Sequence, residues 1–311
     1  MKGDEMRPDT AATGSPGAER LKRVAAVTSV TVAGILIAVK IGAWLATGSV
    51  SLLSTLIDSM LDLAASVINL LAIRHALQPP DREHRFGHGK AEPLAGLAQA
   101  AFVGGSAAFL LFHAVERLIT PVPIANSAVG IAVMLFSIAM TLGLVAFQRF
   151  VVRRTGSVAI RADSLHYSAD LLVNACVVLA LVLTVQFGWT AADPLFAIGI
   201  AVFILHGAWG ILQSSLNLLM DRELPEDDRR RIRDIAISHA GVISLHDLRT
   251  RSSGTRIFIQ MHLEMEADLT LAEAHRIGDD VMEEVENAFP DAEVLIHQDP
   301  FGIDERRARF D

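Results

Sequence analysis

Six long apolar segments, each of about 20 residues or more, dominate the first 220 residues of the chain. They lie at about 24–47, 50–73, 94–119, 128–152, 165–189 and 193–219. A helix of about 20 apolar residues crosses the roughly 30 Å hydrocarbon core of a bilayer. With 51% hydrophobic residues and a mean hydropathy of +0.40, the chain is too apolar for an ordinary soluble domain of 311 residues. The sequence therefore predicts a polytopic α-helical membrane protein with six transmembrane helices.

Basic residues are concentrated in every second loop between these segments. They occur at Arg20, Lys22, Arg23, Arg74, Arg82, Arg85, Lys90, Arg149, Arg153, Arg154 and Arg161, whereas the alternate loops hold only Arg117. Because cytoplasmic loops carry an excess of Lys and Arg, this pattern predicts that both termini are cytoplasmic. Residues 1–20 are rich in Gly, Pro, Ser, Thr and charge, which is typical of a disordered segment.

The residues after Asp221 have the pattern of a small soluble domain. Pro225, followed by three acidic residues, predicts the start of a helix that ends near His239. Two strands are predicted at 242–250 and 256–265, a second helix at 270–288 and a last strand at 293–298. The order αββαβ predicts a C-terminal cytoplasmic α+β domain. We therefore expect a disordered segment at 1–20, a transmembrane transport domain at 21–220 and a cytoplasmic domain at 221–311.

The distribution of charge narrows the range of ligands. Residues 1–220 contain 15 Lys and Arg against 13 Asp and Glu, whereas residues 221–311 contain 12 against 22. An acidic tail repels phosphate, and no basic stripe with interleaved aromatic residues occurs, so the sequence predicts no nucleic-acid binding. The single cysteine, Cys176, excludes a zinc site built from cysteines. Any bound metal must therefore be held by His and carboxylate side chains.

Two of the apolar segments contain acidic and imidazole side chains spaced four residues apart. Asp58 and Asp62 lie in the second segment, and His166 and Asp170 lie in the fifth. Residues four apart share one face of a helix, and a carboxylate near the bilayer middle costs about 2.5–3.5 kcal/mol. If the two helices face each other, they offer the four ligands of a tetrahedral Zn²⁺ site. The alternative is that these groups satisfy one another and only fix helix packing.

Two further clusters lie outside the apolar segments. Asp81, His84 and His88 lie in the loop after the second segment, where three ligands can hold a metal weakly with water in the remaining position. The alternative for this cluster is a solvated polar loop. The tail contains a larger set, and its predicted strands can bring three of the members together; the alternative is scattered surface histidines. This set consists of His246, His262, His275, His297 and Asp299.

Lys40 lies inside the first apolar segment. A lysine in such a position commonly extends its aliphatic stem so that the ammonium reaches a membrane interface. We expect Lys40 to do the same.

Several stretches of the chain closely resemble the cation diffusion facilitator family, and within it the bacterial zinc and ferrous-iron efflux pumps. They are DSMLDLAAS at 58–66, DREHRFGHGKAEP at 81–93, ADSLHYSADLLVN at 162–174, LMDRELP at 219–225, HDLRTR at 246–251 and HQDP at 297–300. The resemblance implies a homodimeric metal/proton antiporter in the cytoplasmic (inner) membrane of a bacterium, with a metallochaperone-like cytoplasmic domain. Arg82, beside the loop cluster, departs from the pattern, and its positive charge would weaken metal binding there.

The resemblance also implies roles for individual residues. It implies a transport site at Asp58, Asp62, His166 and Asp170, a loop site at Asp81, His84 and His88, a cytoplasmic binuclear site at His246, His262, His275, His297 and Asp299 with Gln298 as a lesser candidate, and an interdomain charge pair of Lys90 and Asp221. Zn²⁺ would then be both the substrate and a structural ion of the cytoplasmic domain, protons the counter-substrate, and no organic cofactor is expected.

The sequence thus predicts a proton-coupled exporter of Zn²⁺, with Fe²⁺ and Cd²⁺ as alternative substrates. Metal binding requires ionised carboxylates and a neutral imidazole, so metal and protons compete for the site. A membrane-anchored metal sensor is the first rival, although it has no need of ligands at bilayer depth. The second rival is an intramembrane metal-dependent hydrolase, which needs an open metal position and a general base. The absence of HExxH, GxSxG and Walker A motifs argues against enzymatic activity.

Overall fold

The computed structural model describes residues 16–47, 50–119, 128–187, 189 and 191–303. The chain divides into two compact units, Glu19–Leu216 and a second unit that contains Asn217–Asp311. Of the N-terminal segment predicted at 1–20, residues 1–15 lie outside the described part of the chain, and residues 16–20 belong to the first helix.

The first unit is built from six long helices. Their bounds are α1 Pro16–Thr47, α2 Val50–Ala76, α3 Ala91–Ile119, α4 Ala128–Thr155, α5 Val158–Phe187 and α6 Ala192–Leu219. Within the described residues, five of these helices are long and apolar enough to span a membrane: α1, α2, α3, α4 and α6. The predicted succession of apolar helices is therefore confirmed, and each helix overlaps one predicted segment.

Helix α5 begins at Val158, whereas the apolar segment was predicted to start at 165. Its start is fixed by Gly156, whose φ of 62° ends α4, and by Ser157, whose hydroxyl accepts a hydrogen bond from Ile160 N at 3.2 Å. The first half of α5 carries Asp163 and other polar residues, which lower its hydropathy. Its 30 residues nevertheless extend about 45 Å, which is enough to cross a bilayer.

Helix α5 packs against α2, α3 and α4. A small residue also lets α6 approach α5 closely, since a Cβ added at Gly207 of α6 would lie 2.8 Å from the side chain of Leu165.

Between α2 and α5, the buried hydroxyls of Ser66 and Tyr167 share a hydrogen bond of 2.8 Å. Ser66 lies one helical turn after Asp62, and Tyr167 directly follows His166. This contact therefore holds together the two helix faces that carry the predicted transport ligands.

An ion pair joins α1 to α3 in the interior of the first unit. Lys22 Nζ lies 3.0 Å from Glu92 Oε2, and the two side chains are 1% and 4% exposed. An ion pair buried to this extent costs desolvation energy, and losing one partner leaves an uncompensated buried charge. The pair therefore specifies how the beginnings of α1 and α3 pack.

The second unit contains a three-stranded sheet covered on one face by two helices. Its elements are α7 Glu226–Ser238, β1 Ser244–Ser252, β2 Ile257–Met265, α8 Leu271–Ala288 and β3 Ala292–Pro300. The sheet order is β1-β2-β3, with β1 antiparallel and β3 parallel to the central strand β2. The predicted αββαβ order is confirmed, with element bounds shifted by one or two residues at most ends.

The core of this unit lies between the helices and one face of the sheet. In β2, Ile259, Met261 and Leu263 are buried in this core with Ile232 of α7 and Val281 of α8. Because side chains of a strand alternate between two faces, the intervening residues of β2 lie on the opposite face. Those residues include His262 and Glu264. The sheet thus separates its packing face from a face that carries potential metal ligands.

Candidate metal sites

The first cluster lies between α2 and α5, inside the membrane helices. His166 Nε2 lies 3.0 Å from Asp62 Oδ1 and 3.8 Å from Asp170 Oδ2. The three ligand atoms lie within 4.8 Å of one another, which is close enough to share one ion. His166 is buried, whereas both carboxylates are partly exposed. The predicted pairing of the two helices through these side chains is therefore seen in the structure.

Asp58 is the fourth predicted ligand of this site. It lies one turn before Asp62 on the same helix, but its side chain is exposed and does not belong to the group of three converging ligands. The structure thus brings together three of the four predicted residues. Asp58 remains a predicted ligand on the same helix face.

A buried polar network lies one helical turn before His166 and was not singled out from the sequence. Asp163, which is 1% exposed, accepts a hydrogen bond from Gln99 Nε2 at 3.0 Å and another from Gln148 Nε2 at 2.7 Å. Gln148 Nε2 also donates to Ser29 Oγ at 2.8 Å. The network therefore joins α5 to α1, α3 and α4. In the sequence, this network is indicated by Asp163, an acidic residue three positions before His166.

The loop cluster is a compact turn between α2 and α3. His84 Nδ1 lies 3.4 Å from Asp81 Oδ1, and His88 Nε2 lies 3.3 Å from Asp81 Oδ2. Asp81 Oδ1 also accepts hydrogen bonds from the backbone N–H groups of His84 and Glu83. These donors, the His84 N–H first, hold the pKa of the Asp81 carboxyl below its usual range. The structure brings all three predicted loop ligands together.

A further imidazole lies beside this loop. The ring centroid of His75, in the last turn of α2, is 4.6 Å from that of His88. No pattern in the sequence associates His75 with the loop, because no His, Cys, Asp or Glu lies one helical turn from it. The contact depends on how the loop folds back against the end of α2.

The cytoplasmic cluster forms on the sheet face opposite α7 and α8. His246, His262 and His297 are register partners across β1, β2 and β3, so they lie side by side in one row. Asp299, which is 5% exposed, contacts all three: His262 Nδ1 at 2.8 Å, His297 Nε2 at 3.0 Å and His246 Nε2 at 3.2 Å. The ligand atoms of His246, His262 and Asp299 all lie within 4.8 Å of one another, which suits one Zn²⁺ ion, whereas His297 joins the cluster through its contact with Asp299.

Glu264 lies beside this cluster, whereas His275 lies apart from it. Glu264, which was not predicted as a ligand, is the register partner of Asp299, and its Oε1 lies 3.8 Å from His246 Nε2. His275 was predicted to belong to the cluster. It instead lies exposed on α8, with Nε2 3.4 Å from Asp279 Oδ2. The structure therefore brings together four of the five predicted cytoplasmic residues and leaves His275 apart.

The predicted charge pair consists of Lys90 and Asp221, which belong to different compact units. Within its own unit, Asp221 adopts a positive φ of 55° and its Oδ1 lies 3.5 Å from Arg251 Nη1. Lys90 directly precedes α3 and its carbonyl accepts a hydrogen bond from Leu94 N. Their role as an interdomain pair stays a prediction.

Comparisons with known proteins cover nearly the whole chain. Residues 26–220 match the family model of the cation efflux transmembrane domain, and residues 224–301 match that of the cation efflux protein, cytoplasmic domain. The cation-efflux pump FieF of Escherichia fergusonii is 48% identical over 290 residues, which are 93% of this chain and 96% of the relative. The pump of the same name from Citrobacter koseri shows the same identity and coverage.

A comparison with solved structures finds a chain of CzrB in its Zn form. It is 34% identical, covers 28% of this chain and 99% of its own, and superposes with a TM-score of 0.26. The family matches and the two FieF relatives settle the classification, because together they extend from the first helix to the end of β3. The chain therefore belongs to the cation efflux (cation diffusion facilitator) family of integral membrane transporters.

Proposed function

We propose that this chain is a proton-coupled antiporter that exports Zn²⁺ from the cytoplasm, with Fe²⁺ and Cd²⁺ as further candidate substrates. The observation that carries the proposal is the convergence of Asp62, His166 and Asp170 between two membrane helices. Asp58, one turn before Asp62, would complete a set of four ligands. Membership in a family of cation-efflux pumps supports transport, rather than storage or sensing, as the use of this site.

The coupling to protons follows from the chemistry of the proposed ligands. Zn²⁺ binds neutral imidazole and ionised carboxylates, so loading of the site releases protons and protonation of the ligands releases the metal. His166 already lies within 4 Å of the two carboxylates, which means that one bound ion would contact all three groups. An inward proton gradient then drives metal outward if the site opens to each side of the membrane in turn.

The ligand chemistry supports a transition metal over an alkaline-earth ion. An imidazole together with carboxylates suits Zn²⁺ and Cd²⁺, whereas Mg²⁺ favours oxygen ligands and retained waters. The same donor set accepts Fe²⁺, for which imidazole is also a common ligand. We therefore assign the substrate class as divalent transition-metal cations and rank Zn²⁺ first.

The second unit is proposed to bind metal as a structural ion and to form the contact of a homodimer. The match of residues 224–301 to the cytoplasmic domain of cation efflux proteins supports this assignment, as do His246, His262, His297 and Asp299 converging on one sheet face. We further propose that residues 21–220 form the transport domain in the inner membrane of a bacterium. The distribution of basic loops favours a cytoplasmic location for both termini and for residues 221–311.

Zinc transport by the purified protein in sealed vesicles tests the proposal. Zinc is added outside, a fluorescent zinc indicator is enclosed, and the pH difference across the membrane is set or collapsed with an ionophore. We expect zinc flux that depends on the pH difference, together with proton movement in the opposite direction. Asp62→Ala and Asp170→Ala are expected to lower the flux at least about 100-fold, because each removes a charged ligand from a small site.

Glu116→Gln is the matched control for these variants. Glu116 is an exposed acid near the end of α3, and its Oε2 lies 3.1 Å from His113 Nδ1. The substitution removes one carboxylate from the membrane unit without touching the proposed ligands, so flux should stay within about twofold of wild type. Wild-type flux in both Asp variants would contradict the site. Zinc flux that is insensitive to collapse of the pH gradient would contradict antiport.

A further inference from the structure

Lys40 is a basic side chain within a candidate membrane-spanning helix, and the transport chemistry described so far does not use it. The sequence favoured a side chain that extends toward a membrane interface. In the structure its Nζ instead donates to Ser59 Oγ at 2.6 Å and to the carbonyl oxygen of Thr55 at 3.1 Å. Both acceptors belong to α2. The ammonium of α1 is therefore tied to the helix that carries two of the proposed transport ligands.

The position of Ser59 brings this ammonium close to the transport site. Ser59 is 3% exposed and lies on α2 between Asp58 and Asp62, one residue after the former and three before the latter. Asp58 and Asp62 flank Ser59 on the same helix, and His166 links Asp62 to Asp170, so the contact with Ser59 places the ammonium on the side of α2 that carries the acidic cluster. Both described hydrogen-bond acceptors of Lys40 are neutral, so neither of them compensates its charge.

The charges of these groups can be counted when the carboxylates are ionised and His166 is neutral, as metal binding requires. Three carboxylates contribute three negative charges and Lys40 contributes one positive charge, so these groups have a net charge of about −2. Uncompensated charge is costly inside a membrane protein, where water is scarce. One divalent cation neutralises such a site completely. Without the lysine, the loaded site would keep one negative charge.

We propose that Lys40 is the fixed counter-cation of the transport site, which sets its charge to match one divalent ion and keeps the ion from binding too tightly to be released. Its ammonium repels the bound metal, and this repulsion lowers affinity in both orientations of the site. Lys40 is thus a positioning and specificity residue that does not coordinate the ion. The inference rests on the proposed role of Asp58, Asp62, His166 and Asp170 as metal ligands.

Zinc transport by Lys40→Met in vesicles tests this proposal. Removal of the positive charge should lower the KM for zinc by about tenfold or more and should also lower the maximal rate, because release becomes slower. Lys40→Arg keeps the charge, so its KM should stay within about threefold of wild type. Ser59→Ala removes one hydrogen bond but leaves the charge in place, so its KM should fall less than that of Lys40→Met.

A purely structural role for Lys40 gives a different result. It predicts that Lys40→Met lowers the maximal rate with an unchanged or raised KM, and this outcome would overturn the inference. If Lys40→Met does not yield folded protein, Lys40→Gln, which is uncharged but retains a donor for Ser59, is measured in its place against the same criterion. If Asp62→Ala loses flux but the KM of the Lys40 variant is unchanged, only the proposed role of Lys40 is refuted. If Asp62→Ala keeps its flux, the transport site itself is refuted.

Discussion

The candidate metal-binding cluster in the membrane helices and the one on the cytoplasmic sheet contain similar side chains but are held together in different ways. On the sheet, His246, His262 and His297 are fixed in one row by the backbone register of three strands. Among the described residues of α2 and α5, no backbone hydrogen bond connects the two helices at Asp62, His166 or Asp170. Their relative position depends on packing and on side-chain contacts such as that between Ser66 and Tyr167.

This difference has a functional consequence. A site held by sheet register keeps its geometry as long as the domain is folded, which suits a structural or sensing ion. A site shared by two helices changes when one helix shifts or tilts against the other, which is what alternating access requires. The comparison predicts that the two clusters can be disabled separately and that only the membrane cluster is indispensable for flux.

The largest effect expected in the cytoplasmic cluster follows from Asp299→Ala. This carboxylate is the common partner of three imidazoles, so its loss removes the centre of the proposed site. We expect the zinc affinity of the cytoplasmic site to fall at least about 100-fold in equilibrium dialysis of the full-length protein. Zinc flux should fall by less than about tenfold, because the membrane cluster is intact.

His275→Ala is the control for this experiment. His275 lies apart from the cluster and pairs with Asp279 on the same helix, so its loss should change zinc binding by less than about threefold. If His275→Ala lowers the zinc affinity as much as Asp299→Ala does, His275 is a ligand that the proposed cluster lacks. If Asp299→Ala abolishes flux as completely as Asp62→Ala, the two clusters do not act separately.

The parts that could be predicted from the sequence are those with local signatures. The spacing of four residues between Asp58 and Asp62, and again between His166 and Asp170, indicated two polar helix faces, and the structure brings three of these side chains together. The alternation of Ile257, Ile259 and Met261 in β2 likewise predicted a strand with one buried face. Such patterns can be recognised in a sequence because the period of a helix or strand repeats within a few residues.

The features that could not be predicted from the sequence depend on contacts between distant segments. The role of Asp163 could not be predicted because its partners, Gln99 and Gln148, lie on two other helices. Glu264 enters the cytoplasmic cluster through the parallel register of β2 with β3, which no local pattern encodes. Lys40 resembled a lysine at a membrane interface because its partner, Ser59, lies on another helix. Interhelical packing and strand register, and not residue type, decided these placements.

A smaller effect is expected from the hydrogen bond that joins α2 to α5. Ser66→Ala and Tyr167→Phe each remove one side of a buried contact worth about 1 kcal/mol, so we expect zinc flux to fall about three- to tenfold in either variant. Because both changes break the same bond, the double variant should lose little more than either single one. Initial rates of zinc entry into vesicles provide the measurement.

Ser137→Ala serves as the control for the contact between α2 and α5. Its hydroxyl donates to the carbonyl of Val133 within α4, so the substitution removes a buried hydroxyl without breaking a bond between helices. Its flux should stay within about twofold of wild type. Additive losses in the Ser66 and Tyr167 double variant would show that the two hydroxyls act independently, and the helix-pair explanation of the membrane cluster would then fail.

The smallest effect concerns the start of α8, which covers the packing face of the sheet. Thr270 caps this helix, accepting a hydrogen bond from Glu273 N, while Glu273 accepts hydrogen bonds from the hydroxyl and backbone N–H of Thr270. Thr270→Ala should cost about 1 kcal/mol of local stability at neutral pH. Hydrogen exchange of the first amides of α8 in the full-length protein should accelerate accordingly, with zinc flux unchanged.

Acidification should shrink this difference between wild type and Thr270→Ala. The hydrogen bonds from Thr270, its side chain first, hold the pKa of Glu273 below its usual value. A carboxyl group whose pKa is lowered by folding stabilises the folded state above its usual pKa, and this contribution is lost as the pH falls through the lowered value. Exchange rates of the two proteins should therefore draw closer in acid without becoming equal, because the hydrogen bond from Glu273 N to Thr270 Oγ does not depend on this charge. A difference in exchange rate that stays constant down to that pH would mean that the Glu273 charge does not take part in the cap. A change in zinc flux in Thr270→Ala would mean that transport depends on the stability of α8.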